Sequence, residues 1–581
     1  MSLAHSGFQT PGWRWLKDRL WGLEHAFERA KAAGKAEDDT VIRIFFILAL
    51  FGAGFLTLAA GAAKMAIFPD LGKVSYSGAA GAARADLVDR NGAMLAADLL
   101  HYGLYLDPRE IWDTAETRTA LLTALPDLAP ARLDKALKAS KRTFLVGALT
   151  PNVRARIHDL GLPGVTFEPE QKRIYPLGST AAHLIGYSDT GGQGLAGAEL
   201  GLNDVVRNGA VQHQAVPLSI DLRVQAALED ELGKAVTAFG AKGGVGLVTN
   251  VHTGEILGIA SNPSFDPNLA GKVDPNALAN RVAGRVYEMG STFKTFTIAM
   301  ALDSGKVSLN STFDTSSSMA MGSRIIHDHD RVNYNMTVPE IYLKSSNIGA
   351  SRIAFQAGGG TMTRYFEAFG LLKAAPVELP ESAKPIVPHK WNDDTIASAS
   401  FGHALAVSPL ALAAGYGAIM NGGTYIPLTI RPVKAGERPE GRRVVSEQTS
   451  RAMLDLMRMN VLEGTGGKAD AAGLRVGGKT GSAEKAMGGR YVRDKLVSSF
   501  AAVFPADGPL EADRYFVLIM LDEPNGTKET YGFRTGGWNA TPTVGHVIDR
   551  IAPFLHVSRR MDTMVADKAA AAAKLAAVEE R

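Results

Sequence analysis

The longest uninterrupted apolar run, Ile44 to Ala63 ("IFFILALFGAGFLTLAAGAA"), contains no charged residue. As a helix rising 1.5 Å per residue it would reach about 30 Å, the hydrocarbon thickness of a bilayer. The run therefore predicts one transmembrane helix. A buried core helix rarely runs so long without a polar face, and a secretory signal is ordinarily shorter and closer to the N-terminus. Small residues at its end ("AAGAAKMA") leave cleavage open. Before it, "WRWLKDRLWGLEHAFERA" spaces Trp15, Leu16, Leu20, Leu23 and Phe27 three or four apart, which suits an amphipathic helix at a membrane surface or a partly helical solvated tail.

Beyond the run the rhythm changes. "ARADLVDRNGAMLAADLLHYGLYLDP" alternates around Asn91-Gly92 and predicts a β-hairpin whose tight turn has both central residues at positive φ. "TRTALLTALPDLAPARLDKALKAS" reads as helix, and "RIYPLGSTAAHLIGYSD" as extended chain, turn and helix. From about 218, "LSIDLRVQAALEDELGKAVTAFG" ends a strand and opens an amphipathic helix with apolar Val224, Ala227, Leu228, Leu232 and Val236. Two strands joined at Thr253-Gly254 follow, and "RYFVLIMLDEP" (514–524) is a further β run. No internal repeat is present. The tail after Met561 is Ala-rich, helical or disordered, and carries no chemistry.

Length and charge narrow the classes. A chain of 581 residues needs two or three folded units. A formal charge of +3, with no basic stripe interleaved with aromatics, gives no argument for nucleic acid. Cysteine is absent, which excludes thiol catalysis, disulfides and Cys-based metal sites. Arg29, Lys31, Lys35 and Arg43 before the apolar run, against Lys64, Lys73 and Arg84 after it, give a slight bias toward the N-terminus inside.

The chemistry concentrates at "YEMGSTFKTFTIAMAL" (287–302). After Gly290 the segment predicts a buried helix with Ser291 at its N-terminus and Lys294 one turn in, on the same face. The helix end favours a developing oxyanion, and burial depresses a lysine pKa, as a Lys general base requires. A serine there could equally be a plain helix cap. A second Ser-x-x-Lys, Ser482 to Lys485, falls on a predicted strand, where the two residues oppose each other. Two further stretches favour catalysis: Ser345-Ser346-Asn347 in "KSSNIGA", and Lys479-Thr480-Gly481 in "GGKTGSAEK". Ser308-Leu309-Asn310 is a decoy for the first. Ser-x-x-Lys, Ser-Asp-Asn and Lys-Thr-Gly form the signature of penicillin-binding proteins and class A β-lactamases; here all three stand in order, with Ser-Ser-Asn as the middle one. For acyl transfer, Ser291 would attack a carbonyl, Lys294 take its proton, Ser345 relay a proton to the leaving amine, and Asn347 hold the substrate amide. Lys479 would keep Lys294 neutral and attract an anion. Thr480, Gly481 and Ser482 would bind substrate, the two hydroxyls on a terminal carboxylate, and the backbone N–H groups of Ser291 and Ser482 would form an oxyanion hole.

From about Arg84 to Leu555 the sequence resembles a class B penicillin-binding protein of the FtsI cell-division type. The resemblance rests on "RADLVDRNGAMLA", "RIYPLGSTAAHLIG" and "GLAGAELGLN" (with Glu199), and on "TGEILGIASNPSFDPN", "YEMGSTFK", "KSSNIGASRIA", "SFGHALAVSPLALAAGYGAIMNGG" and "GGKTGSAEK". Met289 stands where Pro is frequent, and Ala404 where Gly is. The resemblance implies an α/β (α+β) transpeptidase domain with a five-stranded antiparallel sheet flanked by helices, a mixed β-rich pedestal and one membrane anchor. The corresponding boundaries are tail 1–43, anchor 44–63, pedestal (dimerisation-type) 64–222, transpeptidase domain 223–556 and C-terminal tail 557–581. It further implies crosslinking of stem pentapeptides with release of D-Ala, covalent inhibition by β-lactams at Ser291, no cofactor or metal, and a partner polymerase of the FtsW type with other division proteins. The location implied is the bacterial inner membrane at the septum, N-terminus in the cytoplasm and catalytic domain in the periplasm. An elongation-type transpeptidase and a β-lactam-binding sensor or scaffold without turnover are the alternatives. A β-lactamase would need a water-activating Glu, and none is identifiable. A glycosyltransferase Glu-Asp-x-x-Phe segment is missing, which disfavours a bifunctional enzyme.

Three features invite other readings. His327, Asp328, His329 and Asp330 in "IIHDHDRVNYN" have metal-ligand types but strand alternation splits them, so a polar loop at the active-site rim is preferred. Gly358 to Gly360 reads as a helix C-cap and turn. His403 reads as packed rather than catalytic.

Overall fold

The computed structural model describes residues 84–561 apart from 322–323 and 488–489, together with 51–59 and the isolated positions 25, 29, 32, 47 and 50. Residues 51–59 are helical and exposed. Among the described residues no helix is long and apolar enough to cross a membrane. The rest of the 44–63 run, the apolar positions expected of the N-terminal amphipathic helix, and the tail after Met561 lie outside the described residues.

The first sheet is built on one long strand. β1 (Leu87–Val88) turns into β2 (Met94–Leu106), followed by helices α1 (Thr114–Ala124) and α2 (Pro130–Leu137), then β3 (Thr143–Leu149), β4 (Val165–Ile174) and β5 (Val216–Pro217). One edge of β2 pairs with β4 from Ala97 to Leu106; β1 and then β3 share the other edge, and β5 runs parallel to β1. The turn at Asn91-Gly92 differs from expectation. Only Gly92 has positive φ (+86°), and its N–H donates to Asp89 O at 3.0 Å. Asp89 Oδ1 accepts from the N–H groups of Asn91 and Ala93, each at 2.8 Å. The aspartate thus holds a three-residue loop with one left-handed residue, where a two-residue turn would need two.

A buried ion cluster ties this sheet to the chain that follows it. Arg84 donates from Nε to Glu199 Oε2 (2.7 Å) and from Nη1 to Asn203 Oδ1 (2.7 Å) and Gly192 O (2.8 Å). Arg173, on β4, donates to Glu199 Oε1 (2.7 Å) and Asp98 Oδ1 (3.2 Å). Arg84 and Glu199 are 1% and 0% exposed, so the carboxylate is the counter-charge for two guanidinium groups removed from water.

The second sheet and the helices that follow and flank its strands carry the three motif stretches. In chain order its elements are α3 (Leu222–Ala238), β6 (Gly243–Asn250), β7 (Ile256–Asn262), a 3₁₀ turn (Gly290–Phe293) running into α4 (Lys294–Asp303), α5 (Val338–Leu343), α6 (Asn347–Ala357), α7 (Pro409–Met420), α8 (Glu447–Leu462), β8 (Gly477–Met487), β9 (Arg490–Phe504), β10 (Tyr515–Asp522) and α9 (Ala540–Ile551). The five strands run antiparallel in the order β8-β9-β10-β6-β7, as expected. Thr253-Gly254 makes the β6–β7 connection. Alternation sorts β10 between two cores: Tyr515, Val517, Ile519 and Leu521 pack with α3 and α9, while Phe516, Leu518 and Met520 pack with α4, α7 and α8. Burial on both faces is why this strand reads as a continuous apolar run. Each fully buried large side chain contributes about 1.5–3 kcal/mol, so the sheet is a rigid platform whose β8 edge is left for the site.

Replacing Glu199 by alanine leaves Arg84 and Arg173 buried without their shared carboxylate. A loss of about 3–5 kcal/mol in chemical denaturation is expected; a loss below about 1 kcal/mol contradicts the role given to the cluster.

Candidate active site

Ser291 sits in the 3₁₀ turn that opens α4, partly exposed, while Lys294 has no exposed surface. The turn is held from three sides. Gly290 has φ +56°, and a Cβ there would lie 2.9 Å from Ser482 O on β8, so the serine turn and the strand touch backbone to backbone. The Gly290 N–H donates to Gly402 O at 3.2 Å. Behind the turn, Thr295 Oγ1 is hydrogen-bonded to the hydroxyls of Tyr342 (3.0 Å) and Tyr416 (2.8 Å), and Tyr416 donates to Thr292 O (2.7 Å).

Lys294 Nζ gathers the first two motifs. It lies 3.0 Å from Ser291 Oγ, 3.1 Å from Ser345 Oγ, 2.5 Å from Ser345 O and 2.8 Å from Asn347 Oδ1. The two hydroxyls can donate or accept; the carbonyl and the amide oxygen only accept. The Asn347 amide is oriented by its own Nδ2, which donates to His327 O at 3.2 Å. A neutral amine matches this set: two N–H groups go to the two acceptors, and the lone pair faces a hydroxyl proton. Burial lowers the Lys294 pKa well below the ordinary lysine value, the charge of Lys479 lowers it further, and Asp328 opposes the shift.

Ser345 occupies a strained position that makes this possible. It follows α5 with φ +58°, and the Ser346 N–H donates to Ile341 O at 3.0 Å, a left-handed helix ending usually built on glycine. Ser346 then caps α6, accepting from the Gly349 N–H at 2.8 Å. The break between α5 and α6 thereby presents both the carbonyl and the hydroxyl of Ser345 to Lys294.

The third motif lies on β8. Lys479 is 0% exposed. Its Nζ reaches Thr480 Oγ1 at 3.5 Å and lies 5.5 Å from the Tyr342 ring centroid, and burial lowers its pKa to about 7. Thr480 Oγ1 is hydrogen-bonded to Thr465 Oγ1 at 2.7 Å. Ser482 is exposed and its Oγ accepts from the Gly536 N–H at 3.0 Å. Gly481 leaves no room for a side chain: a Cβ would lie 2.8 Å from Met289 O and 2.9 Å from Thr292 Cγ2, so β8 presses against the serine turn.

The decoys fall elsewhere. Lys485 pairs with Asp522 (2.7 Å) and Glu523 (2.9 Å). Ser308 bonds to Ser311 in a surface loop. Gly358 ends α6, its N–H donating to Ala354 O at 2.8 Å. No cluster of metal-ligating side chains forms among the described residues. His403 Nδ1 lies 3.1 Å from Glu288 Oε2 and its ring packs edge-on against Tyr491. Ala404, where Gly is frequent, has φ +62°, which explains the usual glycine. Sequence reasoning missed the supporting residues Tyr342, Thr465, Gly536 and Glu288, whose types carry no motif signal. It set Asp328 aside as a rim residue.

Comparisons with known proteins assign the chain to a family. Residues 244–539 match the penicillin binding protein transpeptidase domain, and residues 79–194 match the penicillin-binding protein dimerisation domain. The chain is 54% identical over 568 residues to a probable peptidoglycan D,D-transpeptidase FtsI of Caulobacter vibrioides, covering 97% of this chain and 96% of that one. It is 30% identical over 509 residues to the peptidoglycan D,D-transpeptidase FtsI of Escherichia coli, covering 82% and 84%. Among solved structures, penicillin binding protein 3 of Mycobacterium tuberculosis in complex with aztreonam superposes with a TM-score of 0.64 at 25% identity, covering 83% of this chain and 98% of that one. With both family models in their expected order and FtsI relatives aligned along most of its length, the chain belongs to the class B penicillin-binding proteins of the FtsI type.

Proposed function

We propose that this protein is a serine-type peptidoglycan D,D-transpeptidase. The observation that carries the reading is the buried Lys294 amine, 3.0 Å from Ser291 Oγ in surroundings that suit its neutral form. Ser291 Oγ attacks the carbonyl of the D-Ala–D-Ala bond of a stem pentapeptide as Lys294 takes its proton. The tetrahedral oxyanion sits between the Ser291 and Ser482 N–H groups, each such donor contributing about 3–4 kcal/mol. Ser345 passes a proton to the departing D-Ala amine, and Asn347 holds the substrate amide. An amine from a second stem peptide then attacks the acyl-enzyme and releases Ser291, leaving a 4→3 crosslink. The Thr480 and Ser482 hydroxyls receive the terminal carboxylate, which the charge of Lys479 attracts. β-Lactams acylate Ser291 by the same first step.

The remaining expectations join this proposal. Residues 64–222 act as a pedestal for the catalytic domain at 223–556, flanked by the tails 1–43 and 557–581. Residues 44–63 anchor the protein once in the inner membrane, with the catalytic domain in the periplasm at the division septum beside a glycan polymerase of the FtsW type and other division proteins. Support comes from the FtsI names of the relatives and from the uncharged run itself.

In intact-mass measurements after penicillin exposure, the wild type should gain one stable adduct mapped to Ser291, and Ser291→Ala should gain none. Labelling of that variant, or rapid hydrolysis of the wild-type adduct, contradicts the assignment. Lys294→Ala should slow acylation by about 10²–10⁴-fold while the protein stays folded.

The acylation rate with benzylpenicillin should follow a bell in pH. The acid side falls as Lys294 is protonated. The alkaline side falls above about 7 as Lys479, whose pKa burial lowers to about 7, loses the charge that attracts the carboxylate. A flat profile from pH 6 to 9 contradicts the role of Lys479.

Ser345→Ala and Ser345→Gly both remove the hydroxyl and should both slow turnover. The glycine variant should be the more stable of the two by about 1 kcal/mol, because only it accepts φ +58° without strain. Equal stability by thermal denaturation refutes the strain.

A further inference from the structure

Asp328 lies in the "HDHD" stretch that none of the proposed chemistry uses. The segment leading to it is anchored by Ile326, which is buried against Ile348 and Ala397. Asp328 Oδ1 accepts from the N–H groups of Asn347 (2.5 Å) and Ile348 (3.0 Å), and Oδ2 accepts from Ser346 Oγ (2.5 Å). The adjacent His327 carbonyl accepts from Asn347 Nδ2 at 3.2 Å. A helix begins with N–H groups that have no partner within it. At α6 the first two go to Asp328 and the third to Ser346, which Asp328 also holds. The turn so fixed, 346 to 348, and Ser345 immediately before it supply three of the four oxygens around Lys294 Nζ, two from Ser345 and one from Asn347.

We propose that Asp328 is a positioning residue for acylation: its carboxylate seats the first turn of α6, so that Ser345 and Asn347 meet Lys294, and it sets a negative charge facing the buried amine. The proposal rests on Lys294 being the base. The charged groups acting on Lys294 are Lys479 from β8 and Asp328 from its loop, of opposite effect; the Tyr342 ring on α5 lies against Lys479. His327, His329 and Asp330 are exposed neighbours in the same loop, His327 bonded to Ser318 Oγ (2.7 Å) and His329 to Asp330 (3.1 Å). The carboxylate therefore does two separable things. It caps the helix, which an uncharged amide oxygen can also do, and it supplies charge, which an amide cannot.

The test is the pH dependence of benzylpenicillin acylation in the full-length wild type, Asp328→Asn and Asp328→Ala. Asp328→Asn keeps an acceptor for the two N–H groups and removes the charge. Its acid limb should move to lower pH by about half a unit or more, with a rate on the plateau near that of the wild type. Asp328→Ala should lose at least about tenfold on the plateau. An Asp328→Asn limb that superimposes on the wild type, or an Asp328→Ala plateau equal to it, overturns the proposal and leaves the Lys294 assignment standing. Normal acylation by Lys294→Ala removes the base, and this proposal with it. If Asp328→Ala does not fold, the limb shift in Asp328→Asn decides alone.

Discussion

The site depends on one buried amine. Taking a lysine wholly out of water disfavours its charged form, and at Lys294 a second buried lysine nearby deepens that preference. Two of its four neighbours can only accept hydrogen bonds and the other two are hydroxyls. A neutral amine satisfies such a set with two N–H groups and a lone pair; an ammonium has no lone pair to take the Ser291 proton. The second buried lysine, Lys479, adds repulsion that keeps the first one uncharged. In the proposed reaction this electrostatic arrangement turns an ordinary serine into a nucleophile.

The fold serves that arrangement by bringing three distant stretches to one place and denying each of them slack. The sheet is buried on both faces, so β8 has a fixed position, and Gly481 and Gly290 let it approach the serine turn at backbone distance. The Thr295–Tyr342–Tyr416 hydroxyl cluster locks the turn from behind. Ser345 bears a left-handed conformation that a glycine would adopt more readily. Strain held at such a position by well-packed neighbours is consistent with a residue kept for its hydroxyl.

Much of this was legible in the sequence, for physical reasons. The apolar stretch after Ser291 had to be a buried helix, which put Lys294 beside the serine and out of water. The unbroken β run at 515–522 had to be a central strand. Ser482–Lys485 was set aside because a strand separates residues three apart, and Lys485 does pair with Asp522 and Glu523. The supporting contacts were hidden. Asn-Gly was assigned a two-residue turn because nothing local revealed that Asp89 would take two N–H groups and widen the loop. Asp328 was placed at the rim because its partners lie across a loop in α6, where sequence spacing carries no information. The left-handed backbone of Ser345 and Ala404 follows from tertiary contacts that no residue type announces.

The most direct test of the central claim is NMR titration of the Lys294 side chain in protein carrying ¹³C-lysine, with the resonance assigned through Lys294→Arg. The account predicts the shift of a neutral amine at pH 8, with the midpoint far below that of an exposed lysine. A Lys294 resonance that remains that of an ammonium at pH 8 and titrates near 10.5 contradicts it.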